Sequence, residues 1–392
     1  MKQTILMVHN YYQIPGGEDT VVANEKKMLE DNGHKVVLYT RNNSELKDMG
    51  ILRKLLLPFT TIYNPRTARD IKRIIKEENI DIVHVHNTLN LISPAVYYAA
   101  LKMKKPVVQT IHNFRLLCPG ATFYRDGHIC EDCVSKGLGC ALKHKCYRGS
   151  FLQTLVCVVA TKIHRLTGIY GKINYICLTE FNKEKLLQLK EIDEDRVFVK
   201  PNFVEVPQNQ YEKNESYVFV GRIEEIKGIT DLLEAWKDLG SDAPVLNICG
   251  TGPLLNDCKK YVKDNKLSSV NFLGFVPHEE VRKIIAQSRY LILPSRVYEG
   301  FPMTIVEAFS GRTPVLTSSI GNTGVLIENG KTGFKFISGQ STSITECIKQ
   351  AINETGLEEN AEKEYRDKYT EDKNKEIIDN IYQSVISIGG GR

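Results

Sequence analysis

No apolar stretch in these 392 residues reaches the roughly 18–20 residues that span a bilayer, which excludes a membrane-crossing helix. Tryptophan occurs once, and glycine (28) and proline (14) are too few for a collagen-like or low-complexity chain. A hydrophobic fraction of 42% beside 25% charged residues excludes a disordered polymer, because such a chain can bury a core. The opening Met1-Lys2-Gln3-Thr4-Ile5-Leu6-Met7-Val8-His9 has an apolar run too short for a secretory signal, so a cytoplasmic protein is expected. No Asp-x-Asp motif follows a strand; Asp193-Glu194-Asp195 reads as a solvated helix-to-strand turn.

The length suits two domains, each large enough for its own core. The net charge of +5 hides a division: residues 1–205 carry 30 Lys and Arg against 21 Asp and Glu, and the remainder carries 22 against 26. A basic first half suits a phosphorylated ligand, an anionic lipid surface or a nucleic acid, although uneven solvated surface gives the same count. Ten cysteines in a chain this long, without a secretory signal, do not read as a disulfide framework. Five of them (Cys118, Cys130, Cys133, Cys140 and Cys146) fall within 29 residues.

Short β-branched runs alternate with helical patterns. Strands are predicted at Thr4–His9, Lys35–Thr40, Asp81–His86 and Pro106–His112, with helices around Asp19–Asp31 and Ser93–Met103. The second half repeats this at Tyr217–Val220, Val245–Cys249, Val270–Phe275, Tyr290–Leu293 and Pro314–Ser318. Its helices are predicted over the Ile229, Leu232, Leu233 and Trp236 repeat, Glu279–Gln287 and Pro302–Phe309. Apolar strands separated by helices indicate α/β architecture, here two doubly wound Rossmann-like halves. The expected division is 1–203 with a Cys-rich insertion at 114–150, then 204–371, then a helix over 372–392 packing back towards the first domain. Lys200-Pro201-Asn202-Phe203 is the expected linker, followed by polar Glu205–Glu215; Glu358–Ile388 reads as charged helix and Gly389–Arg392 as a frayed end.

The most informative stretch is Glu299-Gly300-Phe301-Pro302-Met303-Thr304-Ile305-Val306-Glu307, which follows a strand and opens a helix, with Pro302 suited to its first turn. Free N–H groups after Gly300 can hold an anion, Glu299 stands where open α/β sheets bind ligands, and Glu307, about two turns in, can accept from a diol. Gly221-Arg222-Ile223-Glu224-Glu225-Ile226-Lys227-Gly228 also links a strand to a helix, and its two cations suit a diphosphate. Tyr12-Gln13-Ile14-Pro15-Gly16-Gly17-Glu18 and Gly250-Thr251-Gly252-Pro253 are glycine turns that permit close backbone approach; the second is not a complete GxGxxG fingerprint. Taken singly, each stretch also reads as surface charge or a plain tight turn.

In this order the motifs resemble the retaining glycosyltransferases of glycosyltransferase family 4, which have the GT-B fold. The resemblance is strongest over Tyr217–Phe336: the Glu-x7-Glu pair, Gly-Arg with a following Lys-Gly, Gly-Thr-Gly-Pro, and Leu273-Gly274-Phe275-Val276 where the family contacts the base. It runs more loosely through Gly16-Gly17, His84-Val85-His86-Asn87 and Ile111-His112-Asn113. It implies two domains facing across a cleft, with a UDP- or GDP-sugar donor. Donor contacts would come from Gly16, Gly17, Arg222, Lys227, Gly250, Val276, Glu299, Gly300, Phe301, Met303, Thr304 and Glu307, and catalysis from His112, Glu299, Arg222 and Lys227. The implied acceptor is a glycan or a polyprenyl-diphosphate-linked chain in surface-polysaccharide synthesis, with no nucleic-acid partner. With no convincing protein nucleophile and no Asp-x-Asp after a strand, front-face transfer with retention and without a catalytic metal is expected. A nucleotide-sugar epimerase or hydrolase, or a non-catalytic nucleotide-sugar-binding module, fits the same architecture.

His84 and His86 share a strand face, which suits either a metal pair or one packed and one cleft-facing ring. Cys130-x2-Cys133 is half of a tetrahedral zinc site that Cys118 and Cys146 could close, with Cys140 and His144 as rival ligands and unligated thiols as the plain alternative. Gly50–Phe59 and Phe151–Ala160 are apolar and too short to span. With Arg53, Lys54, Lys102, Lys104 and Lys105 they suit peripheral contact with an anionic membrane at its inner face, or else core helix.

Overall fold

A computed structural model describes residues 2–13, 16–206, 209 and 211–390. Ile14 and Pro15 of the first glycine turn, part of the stretch after the linker, and the last two residues of the expected frayed end lie outside the described residues.

In chain order the first half comprises β1 (Thr4–Tyr11), α1 (Gly17–Asp31), β2 (Lys35–Asn42), α2 (Ile51–Ile62), α3 (Pro65–Glu77), β3 (Ile82–Asn87), α4 (Ala95–Lys102) and β4 (Val107–Ile111). There follow a small ribbon, β5 (Tyr124–Arg125) with β6 (His128–Ile129), then α5 (Asp132–Ser135), α6 (Gly139–Lys143), α7 (Phe151–Leu166), β7 (Asn174–Cys177), α8 (Glu180–Leu186) and β8 (Val197–Val199). The second half continues with β9 (Tyr217–Val220), α9 (Ile229–Leu239), β10 (Leu246–Cys249), α10 (Leu255–Asp264), β11 (Val270–Gly274), α11 (His278–Gln287) and β12 (Tyr290–Leu293). It closes with α12 (Met303–Ser310), β13 (Val315–Ser318), α13 (Gly321–Leu326), β14 (Gly333–Phe336), α14 (Ser341–Ala351), α15 (Leu357–Lys368) and α16 (Glu371–Gly390).

Two six-stranded parallel sheets result, ordered β2-β1-β3-β4-β7-β8 and β11-β10-β9-β12-β13-β14. Their inner strands are buried on both faces, as β3 and β4 are along their whole lengths, with His84, His86, Gln109 and Thr110 buried among the apolar residues. Edge strand β2 instead has no buried residue. In the second half, Trp236 of α9 is fully buried against Tyr217 and Tyr290 and donates its indole N–H to Pro244 O at 2.8 Å. The architecture is two Rossmann-like α/β halves.

The chain forms two compact units: Met1–Thr122 with Glu131–Asn202 and Asn374–Arg392, and Phe123–Cys130 with Phe203–Lys373. The expected helix over Glu358–Ile388 is two helices, because Tyr369 turns into the second unit's core and Thr370 Oγ1 accepts from Lys373 N–H to start the next one. α16 continues through Gly390, where fraying from Gly389 was expected.

Candidate active site

In the second unit β9 and β12 are sheet neighbours, as are β9 and β10, so the loops leaving their C-terminal ends lie side by side. This brings Lys227 from the first loop onto Glu299 from the second, Nζ to Oε1 at 2.7 Å. Ser295 Oγ donates to the same oxygen at 2.6 Å. Burial would raise the Glu299 carboxyl, but the Lys227 charge and the hydrogen bonds from Lys227 and Ser295 hold it below the ordinary carboxylate range. Asn322 of α13 donates Nδ2–H to the carbonyls of Glu299 and Gly300, at 2.7 and 2.6 Å, and so fixes the loop ahead of α12.

Two local details differ from the sequence reading of that stretch. Pro302 stands at the N-cap with extended backbone, not within the first turn, and its carbonyl accepts from Ile305 N–H at 3.0 Å. Glu307 is the fifth residue of α12, just over one turn in, because the helix starts at Met303. The N–H groups of Met303 and Thr304 are first-turn groups with no intrahelical acceptor. Phe301, Met303 and Val276 pack as half-buried apolar side chains on one core cluster. Glu307 is buried and accepts from His278 Nε2 at 2.7 Å; that hydrogen bond, against burial, raises the imidazole above its ordinary value.

Arg222 is placed apart from this pair. Its side chain is 72% exposed and meets Glu224 at 3.2 Å. The glycines beside it are structural. Gly250 packs on the Gly221 loop so tightly that a Cβ would sit 1.9 Å from Gly221 O, and a Cβ on Gly228 (φ +69°) would sit 1.9 Å from Pro294 O. Arg296 braces the same loops through a two-pronged ion pair with buried Asp231 and an N–H bond to Ile226 O at 2.9 Å. His278, Ser295, Arg296 and Asn322 were not singled out from the sequence. Their partners lie between 4 and 65 residues away, and only the Ser295–Glu299 spacing was short enough to have offered a signal.

In the first unit, the C-terminal ends of neighbouring strands β1, β3 and β4 bring Gly16 and Gly17 at the start of α1, Asn87 at the end of β3 and His112 just past β4 to one sheet edge. Gly16 caps α1, its N–H donating to Asp19 Oδ2 at 3.2 Å, while Asp19 Oδ1 accepts from His9 Nε2 at 2.8 Å. A Cβ at Gly16 or Gly17 would meet nothing within 4 Å, so packing does not demand either glycine. His112 lies just past β4, half-buried, with its Nε2 3.0 Å from His86 Nδ1 and the rings stacked. Burial first, then the neighbouring His86, push it well below the ordinary imidazole value, so it is a neutral ring. It lines a cavity of about 100 Å³ with Asn113, Thr88 and Arg115.

His84 and His86 share a face as expected, but neither points outward. Both turn onto buried Glu25 of α1, at 3.2 and 3.5 Å from Oε1. This trio has metal-ligand spacing among the described residues. Yet His84 spends Nδ1 on Tyr382 Oη and Nε2 on Thr110 Oγ1, both at 2.7 Å, and Lys200 Nζ neutralises Glu25 Oε2 at 2.8 Å. The arrangement is a closed ionic cluster. Among the clustered cysteines, burial and the nearby Cys118, Cys146 and Cys140 thiols push the Cys133 thiol up to about 12. Gly120 lies against two of them: a Cβ there would stand 3.2 Å from Cys146 O and in ordinary contact with Cys118 Sγ at 3.6 Å. Cys130 belongs to the segment counted with the second unit.

Residues 203–368 match the family model of glycosyl transferases group 1, and residues 15–128 match that of glycosyltransferase family 4. An uncharacterised glycosyltransferase of Methanocaldococcus jannaschii is 26% identical over 394 residues, covering 97% of this chain and 98% of its own. A phosphatidylinositol N-acetylglucosaminyltransferase subunit of Saccharomyces cerevisiae is 23% identical over 370 residues, covering 88% and 72%. Among solved structures, a glycosyltransferase of Rickettsia africae superposes with a TM-score of 0.69 at 19% identity, covering 98% and 99%. The Anabaena protein HepE in complex with UDP superposes at 0.68 and 16%, covering 98% and 100%. These likenesses establish the GT-B fold, and with the two family matches they identify the chain as a glycosyltransferase of the family-4 type.

Proposed function

We propose that this glycosyltransferase moves a sugar, with retention, from a UDP- or GDP-sugar to a glycan or lipid-linked acceptor in surface-polysaccharide synthesis. The observation that carries the reading is the Lys227–Glu299–Ser295 arrangement at the start of α12. Loss of a nucleoside diphosphate places charge on its β-phosphate, where Lys227, the exposed Arg222 and the N–H groups of Met303 and Thr304 stabilise it. Glu299, kept ionised, accepts from donor-sugar hydroxyls, and Gly300 and Phe301 shape the same turn. Glu307 holds the ribose diol, with His278 as its positioning residue, and Val276 and Gly250 border the nucleotide. Gly16 and Gly17, free of any packing duty, admit a ligand to the backbone, and neutral His112 offers a hydrogen bond to the transferred sugar.

In this reading residues 204–371 hold the donor, while 1–203 with the 114–150 insertion serve the acceptor and 372–392 complete the first domain. No divalent metal takes part in transfer, since no Asp-x-Asp follows a strand. A structural zinc held by Cys118, Cys130, Cys133 and Cys146 would brace the insertion. The Cys118 and Cys146 thiols near Cys133 support it, because zinc would deprotonate a thiol that burial otherwise keeps neutral. Elemental analysis without zinc in the purified protein would remove that part.

The test is a donor panel with product linkage read by NMR. Transfer should require an acceptor and keep the donor's anomeric configuration. Glu307→Ala and Lys227→Ala should each cost at least tenfold in kcat/KM, about 1.4 kcal/mol. Appreciable conversion of donor without acceptor would show an epimerase or hydrolase instead. Unchanged donor affinity in both variants would remove the assigned site.

A further inference from the structure

Helix α2 is amphipathic, yet it turns its apolar side chains outward. Ile51, Leu52, Leu55, Leu56 and Phe59 are between 48% and 81% exposed, and Thr61 is its one buried residue. Beside it, α7 begins with Phe151 and Leu152, also exposed, and the two helices pack along a groove of about 330 Å³ lined by Lys54, Leu57, Pro58, Arg148, Leu152 and Val156.

The two stretches of chain that carry this surface hold charge of one sign, bounded by Asp48 and Asp70 on either side of the first. Residues 49–69 contain Arg53, Lys54, Arg66 and Arg69 and no carboxylate. Residues 134–179 contain seven Lys and Arg and no carboxylate. Arg53, Lys54, Arg148 and Lys162 are exposed. A row of large apolar side chains flanked by cations is the composition of a helix lying in a bilayer interface. No helix among the described residues is long and apolar enough to cross a membrane.

We propose that α2 and the start of α7 form an interfacial anchor that seats the first unit on an anionic lipid bilayer. The apolar row enters the acyl boundary while Arg53, Lys54 and Arg148 meet lipid phosphates. A second copy of the chain is the poorer occupant. Two-fold pairing sets the patch against itself and gathers the cations of both copies in one interface, with no carboxylate from either stretch to offset them. The anchor does not depend on the donor site.

Full-length protein, without donor, is mixed with vesicles of phosphatidylcholine containing phosphatidylglycerol and sedimented. Binding should be about tenfold weaker to phosphatidylcholine alone and should fall with added salt. The double variant Leu55→Ser/Phe59→Ser should lose about tenfold in binding while keeping the wild-type thermal midpoint, since both positions are exposed. Phe59→Trp should give a blue-shifted emission change on the anionic vesicles. Absence of wild-type binding to anionic vesicles would overturn the proposal, as would a wild-type dimer in solution that the double variant converts to monomer. Because no donor is present, either failure leaves the transferase reading untouched.

Discussion

Lys200 is 1% exposed, and its ammonium is tolerated because Glu25 Oε2 stands 2.8 Å away and Asn374 Oδ1 accepts at 3.0 Å. The Lys200 charge overcomes the cost of burial and, with His84 and His86, holds the Glu25 carboxyl well below the ordinary range. Lys200→Met leaves a buried carboxylate unpaired and should cost about 3–5 kcal/mol in urea unfolding. Adding Glu25→Gln should recover much of it, a coupling that a double-mutant cycle measures. Glu18 shows the opposite shift: burial pushes it up to about 8, with Tyr12 Oη donating to it at 2.7 Å. The native state therefore keeps a proton that the unfolded chain sheds near pH 4, and this group's contribution to stability falls as pH rises between those values. Burial lowers His9 to about 4 and His84 to about 3, which makes stability rise with pH up to about 6.5, so Glu18 alone of the three acts above that. Between about pH 6.5 and 8 thermal midpoints should then fall more, or rise less, in the wild type than in Glu18→Gln, because buried Lys213, pushed down to about 7, works in the opposite direction above pH 7 in both proteins. None of this cluster's wiring was legible. His84 and His86 could be paired by strand period, but Glu25, Lys200 and Tyr382 reach them from 59, 116 and 298 residues away, measured from His84.

Elements read more easily than contacts. Four strands of the first sheet and five of the second were visible as short β-branched runs, while β7, β8 and β14, each only three or four residues long, were not, and the helix spacing around Trp236 followed from period 3.6. The break between α15 and α16 was not visible, since a buried tyrosine and a threonine cap decide it inside an evenly charged stretch. The glycine turns were seen as permissive, but which glycine served packing was not, because that depends on a neighbouring loop's carbonyl. The distinction is testable. Gly250→Ala and Gly228→Ala should lower the thermal midpoint by several degrees, since each forces a Cβ into backbone and both glycines have positive φ. Gly17→Ala should leave the midpoint unchanged, because nothing lies within 4 Å. In the proposed function it should lower kcat/KM by narrowing the approach to the backbone.

At the scale of the molecule, the first unit is built from three chain segments, and its last, Asn374–Arg392, supplies Ile378, Ile381, Tyr382 and Val385 to the interior. Tyr382 also caps His84, and Asp379 accepts from His34 Nε2 at 2.9 Å. Truncation after Lys373 should therefore strip hydrogen-exchange protection from β1 and β3 while β9, β10 and β12 keep theirs, a pattern that mass spectrometry resolves. The same discontinuity orders events during synthesis. A ribosome releases β1 to β8 long before the helix that covers them, and it completes the whole sheet of the second unit in between. The later-made half can thus reach its native state first, while the earlier-made half waits with β3 and its histidines uncovered. Chaperones meeting this chain would find their binding surface at its beginning, and they would lose it only when its end arrives.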